Sequence, residues 1–213
     1  MASSAWAREF WIDKSPAAWN DGEIQQMLSK SPWAKEASIF DASGYRSPPT
    51  AARGGDRNRR GRTSNVGSSG PTVASPNVWK AIVRWESALP VRDALKTPKT
   101  PEIEENYIIG LLGDVPAAGV PVDDDDPAER KLKMAMLQEN TRIERKDDPL
   151  NLQRVGVAPR TRRSPSGTLF YFSRAIPITP EDKLVTFVTR IGPLEVKCKF
   201  TLRDMIYHGN FEL

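Results

Sequence analysis

The cleanest periodicity in the chain runs from Leu194 to Leu202. Leu194, Val196, Cys198, Phe200 and Leu202 alternate there with Glu195, Lys197, Lys199 and Thr201. A period of two marks a strand with one buried face, and a slip of one residue would turn the whole apolar set into water, so its register is firmly specified. The stretch WKAIVRWESA alternates in the same way, with Trp79, Ala81, Val83 and Trp85 on one face and Lys80, Ile82, Arg84 and Glu86 on the other. NYIIGLL, residues 106–112, is apolar on both faces and predicts a strand covered on both sides. Further strands are predicted at Thr141–Lys146, Asn151–Val157, Thr168–Arg174, Lys183–Ile191 and Ile206–Leu213. The turns between them carry Asp148-Pro149, Pro165-Ser166-Gly167, Pro180 and Gly192-Pro193.

Helical spacing is scarcer. Asn20 and Glu23 stand three apart as a cap with its reciprocal carboxylate, and Ile24, Met27 and Leu28 follow as one apolar stripe. This predicts a helix over about Asp21–Lys30, closed by Ser31-Pro32. Trp11, Trp19 and Trp33 flank that helix and are expected to pack over its apolar side. LPVRDALK predicts one or two helical turns from Leu89 to Lys96. A third helix is expected from Pro127 to about Asn140, with Leu132, Ala135, Met136 and Glu139 at helical spacing. The four carboxylates Asp123 to Asp126 precede it. They lack the alternation and glycine turn of a calcium loop, and negative charge at a helix N-terminus is favoured by the macrodipole. Together these elements predict one α+β domain over residues 8–213. Its antiparallel sheet comes mainly from the C-terminal half, with short helices against it.

Charge adds one feature to that frame. The 213 residues carry a net +4, but residues 42–76 alone hold Arg46, Arg53, Arg57, Arg59, Arg60 and Arg62 against Asp56. That segment is therefore +5 and the remainder sums to −1, so the basic character belongs to one insertion and not to a folded basic face. Its Gly, Ser, Pro, Thr and Arg content cannot bury enough apolar surface to offset about 1–2 kcal/mol of ordering entropy per residue. The expectation is a long disordered loop between two strands. Arg53, Arg57, Arg59, Arg60 and Arg62 are its candidate anion-binding residues, for nucleic acid or another polyanion. Arg160, Arg162 and Arg163 form a second basic cluster in a predicted turn, read as a solvated loop.

Candidate chemistry is thin. One Cys and one His cannot furnish a zinc site or an internal disulfide, and no metal or cofactor is expected. Cys198 lies on the apolar side of its strand, where a thiol acts as a small hydrophobe. His208 is expected to face solvent. There is no phosphate-binding glycine loop and no G-x-S-x-G elbow. A hydrolase working with carboxylates alone would need two inward acids in one cleft, and no motif places such a pair.

Two blocks carry a resemblance. FWIDKSPAAW, DGEIQQMLSKSPWAKEASI and VRWESALPVRDAL at one end, with EDKLVTFVTRIGPLEVKCKFTLRDMIYHGNFEL at the other, resemble a group of uncharacterised bacterial proteins typical of acidobacteria. The resemblance implies an exported protein and assigns no catalytic or ligand residues. Ala5-Trp6-Ala7 before Arg8 has the A-x-A form of a cleavage site, with residues 1–7 as a signal remnant, although a basic and apolar leader is missing from the sequence. No run of apolar residues is long enough for a membrane span. The expectation is a non-enzymatic binding or structural module of the cell envelope with an unknown protein or envelope partner. Polyanion binding through the arginine-rich loop and carboxylate hydrolysis stand as alternatives, as does a cytoplasmic address.

Overall fold

The computed structural model describes residues 9–41, 78–116, 120–121 and 125–213. The proposed signal remnant and the arginine-rich insertion lie outside them.

Eight of the strands among the described residues form the main sheet. They are β1 (Ala34–Asp41), β2 (Val78–Trp85), β3 (Asn106–Leu112), β4 (Arg142–Glu144), β5 (Leu150–Ala158), β6 (Gly167–Ser173), β7 (Leu184–Ile191) and β8 (Leu194–Thr201). Every neighbouring pair is antiparallel, and the order β1-β2-β3-β6-β5-β4-β7-β8 returns to β1, so the sheet is a closed barrel. Five of the eight strands follow residue 141, as the C-terminal weighting of the pattern anticipates. With eight strands the interior is just wide enough for side chains to fill it. Trp85, Ile109, Phe170, Phe172, Phe187 and Phe200 do so, with Trp85 edge to face on Phe200, and Phe170 and Phe172 packed tilted and edge to face against Phe187. On β8 the phasing is as predicted: Val196, Cys198 and Phe200 point inward opposite Thr189, Phe187 and Val185 of β7.

Helix α1 (Phe10–Asp13) and helix α2 (Asp21–Ser29) lie at one end of the chain. The Asn20 side chain accepts from the Glu23 backbone N–H and the Glu23 carboxylate accepts from that of Asn20, each at 2.9 Å, which completes the cap. Trp11, Trp19 and Trp33 are all buried in the main core, as expected of packing aromatics. Helices α3 (Leu89–Leu95) and α4 (Pro101–Glu105) form the β2–β3 connection. α4, α1 and β1 carry too few residues, or too mixed a pattern, to show in the periodicity.

Helix α5 (Pro127–Asn140) is capped by Asp126, whose carboxylate accepts from the Ala128 N–H, and Asp125 pairs with Lys133 at 2.7 Å. The capping role is therefore right for Asp126, Asp125 instead holds Lys133 of the helix, and Asp123 and Asp124 lie outside the described residues. The expected apolar stripe is corrected. Leu132 and Met136 are exposed, and the helix buries Leu137 with Met134 beside it. β4 has only three residues, so the far halves of β5 and β7 face one another across α5, and the helix face that fills this gap is the one carrying Leu137.

The segment Ile206–Leu213 is also corrected. It is not one strand but two short rungs, β9 (Ile206–Tyr207) and β10 (Asn210–Phe211), with His208 and Gly209 at positive φ in the turn between them. No helix among the described residues is long and apolar enough to cross a membrane.

Candidate functional site

The barrel's outer wall is apolar on one side. There, outward side chains of β2, β3 and β6 form rows: Arg84 opposite Gly110 opposite Leu169, then Ile108 opposite Tyr171. The linker between α3 and α4 and the β5–β6 loop overhang this patch and turn it into a cleft of about 660 Å³. Leu95, Ile103, Ile108, Leu169 and the Tyr171 ring supply its apolar lining.

Its floor is an ion pair that alternation alone would have left in water. Arg84 is 1% exposed. Its Nε donates to Glu86 Oε1 at 2.9 Å, Nη2 lies 2.8 Å from the same oxygen, Nη1 donates to the Leu28 carbonyl at 3.2 Å and Nη2 also to Ser164 Oγ at 2.8 Å. The guanidinium thus joins the end of α2, strand β2 and the β5–β6 loop. Burial pushes the Glu86 carboxyl above the ordinary glutamate range, against the opposing pull of Arg84. The carboxylate lies across β3, where a Cβ on Gly110 would stand 2.7 Å from Glu86 Oε1. Glycine there is what lets an acid lie flat on the wall. Gly156 does the same for the Tyr171 ring, which would come within 3.2 Å of a Cβ at that position. The Arg154 guanidinium stacks over the Tyr171 ring at 3.5 Å, and Arg154 pairs with Glu102 at 2.7 Å.

The overhanging loop is held from within. Thr161 Oγ1 accepts from the backbone N–H groups of Arg163 and Ser164, and the Thr161 N–H donates to the Ser164 carbonyl at 2.8 Å. Arg163 Nη1 donates to the Ala94 carbonyl at 2.8 Å, tying the loop to the C-terminal end of α3. The basic cluster is therefore more than a solvated turn. Arg162 and Arg163 line the cleft, and Arg160 points to Asp114 at the surface.

The other residues singled out by sequence do not gather here. Cys198 is shut inside the barrel, where burial pushes its thiol up to about 11 despite the nearby Lys35 ammonium. His208 is exposed in its turn and touches the Tyr207 ring, 4.2 Å between centroids. Tyr207 itself donates to Asp93 at 2.9 Å. The five candidate anion-binding residues Arg53, Arg57, Arg59, Arg60 and Arg62 lie outside the described residues. Among the described residues no group of three or more His, Cys, Asp or Glu side chains is placed to hold a metal ion. The cleft does hold two acids, but Glu86 lies on its floor paired with Arg84 and Glu102 is paired with Arg154.

Sequence reasoning missed the cleft because Arg84 and Glu86 occupy the polar face of a correctly phased strand. The one signal for it was Gly110 in the middle of an otherwise apolar strand, the usual mark of a close approach. No family model matches the chain, nor does any curated protein or any solved structure.

Proposed function

We propose that this chain is a binding module that holds a small ligand in the outer-wall cleft without transforming it. The observation that carries this reading is a buried, fully oriented Arg84–Glu86 pair opening onto an apolar cleft of ligand-binding size. A guanidinium fixed by three separate elements is preorganised, so little further ordering is needed when a ligand arrives. The non-catalytic part rests on placement: the thiol is walled into the barrel, the imidazole lies away from the cleft lining, and Glu86 is held by its arginine.

An exported or envelope address belongs to the same proposal. A thiol that is buried and hard to ionise withstands an oxidising compartment without forming mixed disulfides. Cell fractionation tests that part directly, and recovery in the cytoplasm alone would refute it.

The cleft is tested by ligand-observed NMR screening of small amphiphilic fragments against the wild type and Leu169→Trp. Leu169 is a half-buried wall residue, so the larger side chain fills the cleft from the outside without entering the barrel. Fragment signals should appear with the wild type and vanish with the variant. Hits that are indifferent to Leu169→Trp would place the binding surface elsewhere. Conversion of a bound fragment into product would overturn the non-catalytic reading.

A further inference from the structure

The charges around the cleft are unevenly compensated, and this narrows the ligand. Both acids of the lining already have cationic partners, Glu86 in Arg84 and Glu102 in Arg154. The remaining lining cations, Arg162 and Arg163, form no ion pair among the described residues. Arg163 spends one nitrogen on the Ala94 carbonyl and keeps its full charge, and Arg162 stands exposed at the mouth. Thr97 and Thr100 of the α3–α4 linker line the same cleft as further hydrogen-bonding groups. Below this positive mouth the wall is hydrocarbon and aromatic: Leu95, Ile103, Ile108, Leu169 and Tyr171.

We propose that the ligand is an amphiphilic carboxylate, with its anionic head at Arg162 and Arg163 and its apolar body along the β3–β6 wall. The proposal rests on the cleft reading above and adds its chemical class. A guanidinium offers a planar fork that matches a carboxylate, and charge-assisted hydrogen bonds are about twice as strong as neutral ones. A neutral amphiphile gains the wall but not the mouth. A small hydrophilic anion gains the mouth but not the wall. A cationic head would meet two uncompensated arginines, so the mouth discriminates by repulsion as well as attraction.

The test is calorimetric titration of the full chain with octanoate, 1-octanol and acetate, each kept below the concentration at which it self-associates. Octanoate should bind at least about tenfold more tightly than 1-octanol, with acetate too weak to measure. Raising the salt concentration should narrow the gap between the first two. Arg162→Gln removes an exposed side chain, so the fold is retained. It should bring octanoate down to the level of 1-octanol and leave 1-octanol itself unchanged. If 1-octanol matches octanoate on the wild type, or if Arg162→Gln keeps the preference, the carboxylate assignment is wrong while the cleft still stands. If neither octanoate nor 1-octanol binds the wild type, both the ligand class and the cleft reading fall.

Discussion

Arg84 stands on the face of β2 that alternation assigns to water, yet it is among the largest fully buried side chains of the molecule. A buried ion pair contributes little net stability, but removing one partner leaves the other stranded. Arg84→Met should therefore cost about 3 kcal/mol by chemical denaturation, because Glu86, Ser164 and the Leu28 carbonyl all lose a donor. Adding Glu86→Leu should recover most of that loss, and a double variant no better than the single one would show that the pair is not the linchpin. Glu86 also gives a pH signature. Its carboxyl titrates above the ordinary value of 4.5 in the folded chain, so the folded state keeps the proton to higher pH than the unfolded state does. The stability it lends is complete below the ordinary range and declines as pH rises through the raised value. Urea midpoints from about pH 4 to pH 8 should fall more steeply for the wild type than for Glu86→Gln, and equal slopes would contradict the burial argument.

Among the elements, α5 separates what was legible from what was not. Its limits followed from Pro127, the acids ahead of it and the end of helical spacing, and the structure matches them. Its buried face did not follow, because Leu132 with Met136 and Met134 with Leu137 are equally good stripes on a helix. The choice between them is made by the gap that the short β4 leaves in the sheet, which a single element cannot report. Leu137→Ala should cost about 2–5 kcal/mol as a core truncation. Leu132→Gln and Met136→Gln should each stay within about 0.5 kcal/mol, as exposed positions do. Thermal unfolding of the three variants checks both statements, and comparable losses at all three would mean that the outer stripe is covered in solution.

For the molecule as a whole, the strand pattern carried the fold class and the phase of β2 and β8 but not the pairing or the closure. β8 was phased correctly from its alternation, and its bridge to β1 through Phe40–Glu195 and Asp41–Leu194 is only two residues long. Nothing local announces such a pairing, since it joins segments more than 150 residues apart in a chain of 213. The cleft was illegible for the same reason: it needs β2, β3 and β6 side by side and two loops folded over them.

The pairing of Phe40 with Val78 has a practical side. The arginine-rich stretch leaves the hairpin one residue past the Phe40–Val78 pair and comes back at Val78, so the paired part of the wall does not include it. Exchanging residues 42–77 for Asn-Gly, which leaves the three-residue loop Asp41-Asn-Gly between the paired Phe40 and Val78, should leave octanoate affinity untouched and raise stability by up to about 2 kcal/mol through the shorter closure. Loss of the fold in that shortened protein would show that the stretch holds the wall together. If the exchange is tolerated, the hairpin becomes a docking port where a fluorescent or affinity domain can be spliced into the chain, reporting on the cleft from a graft that never touches it.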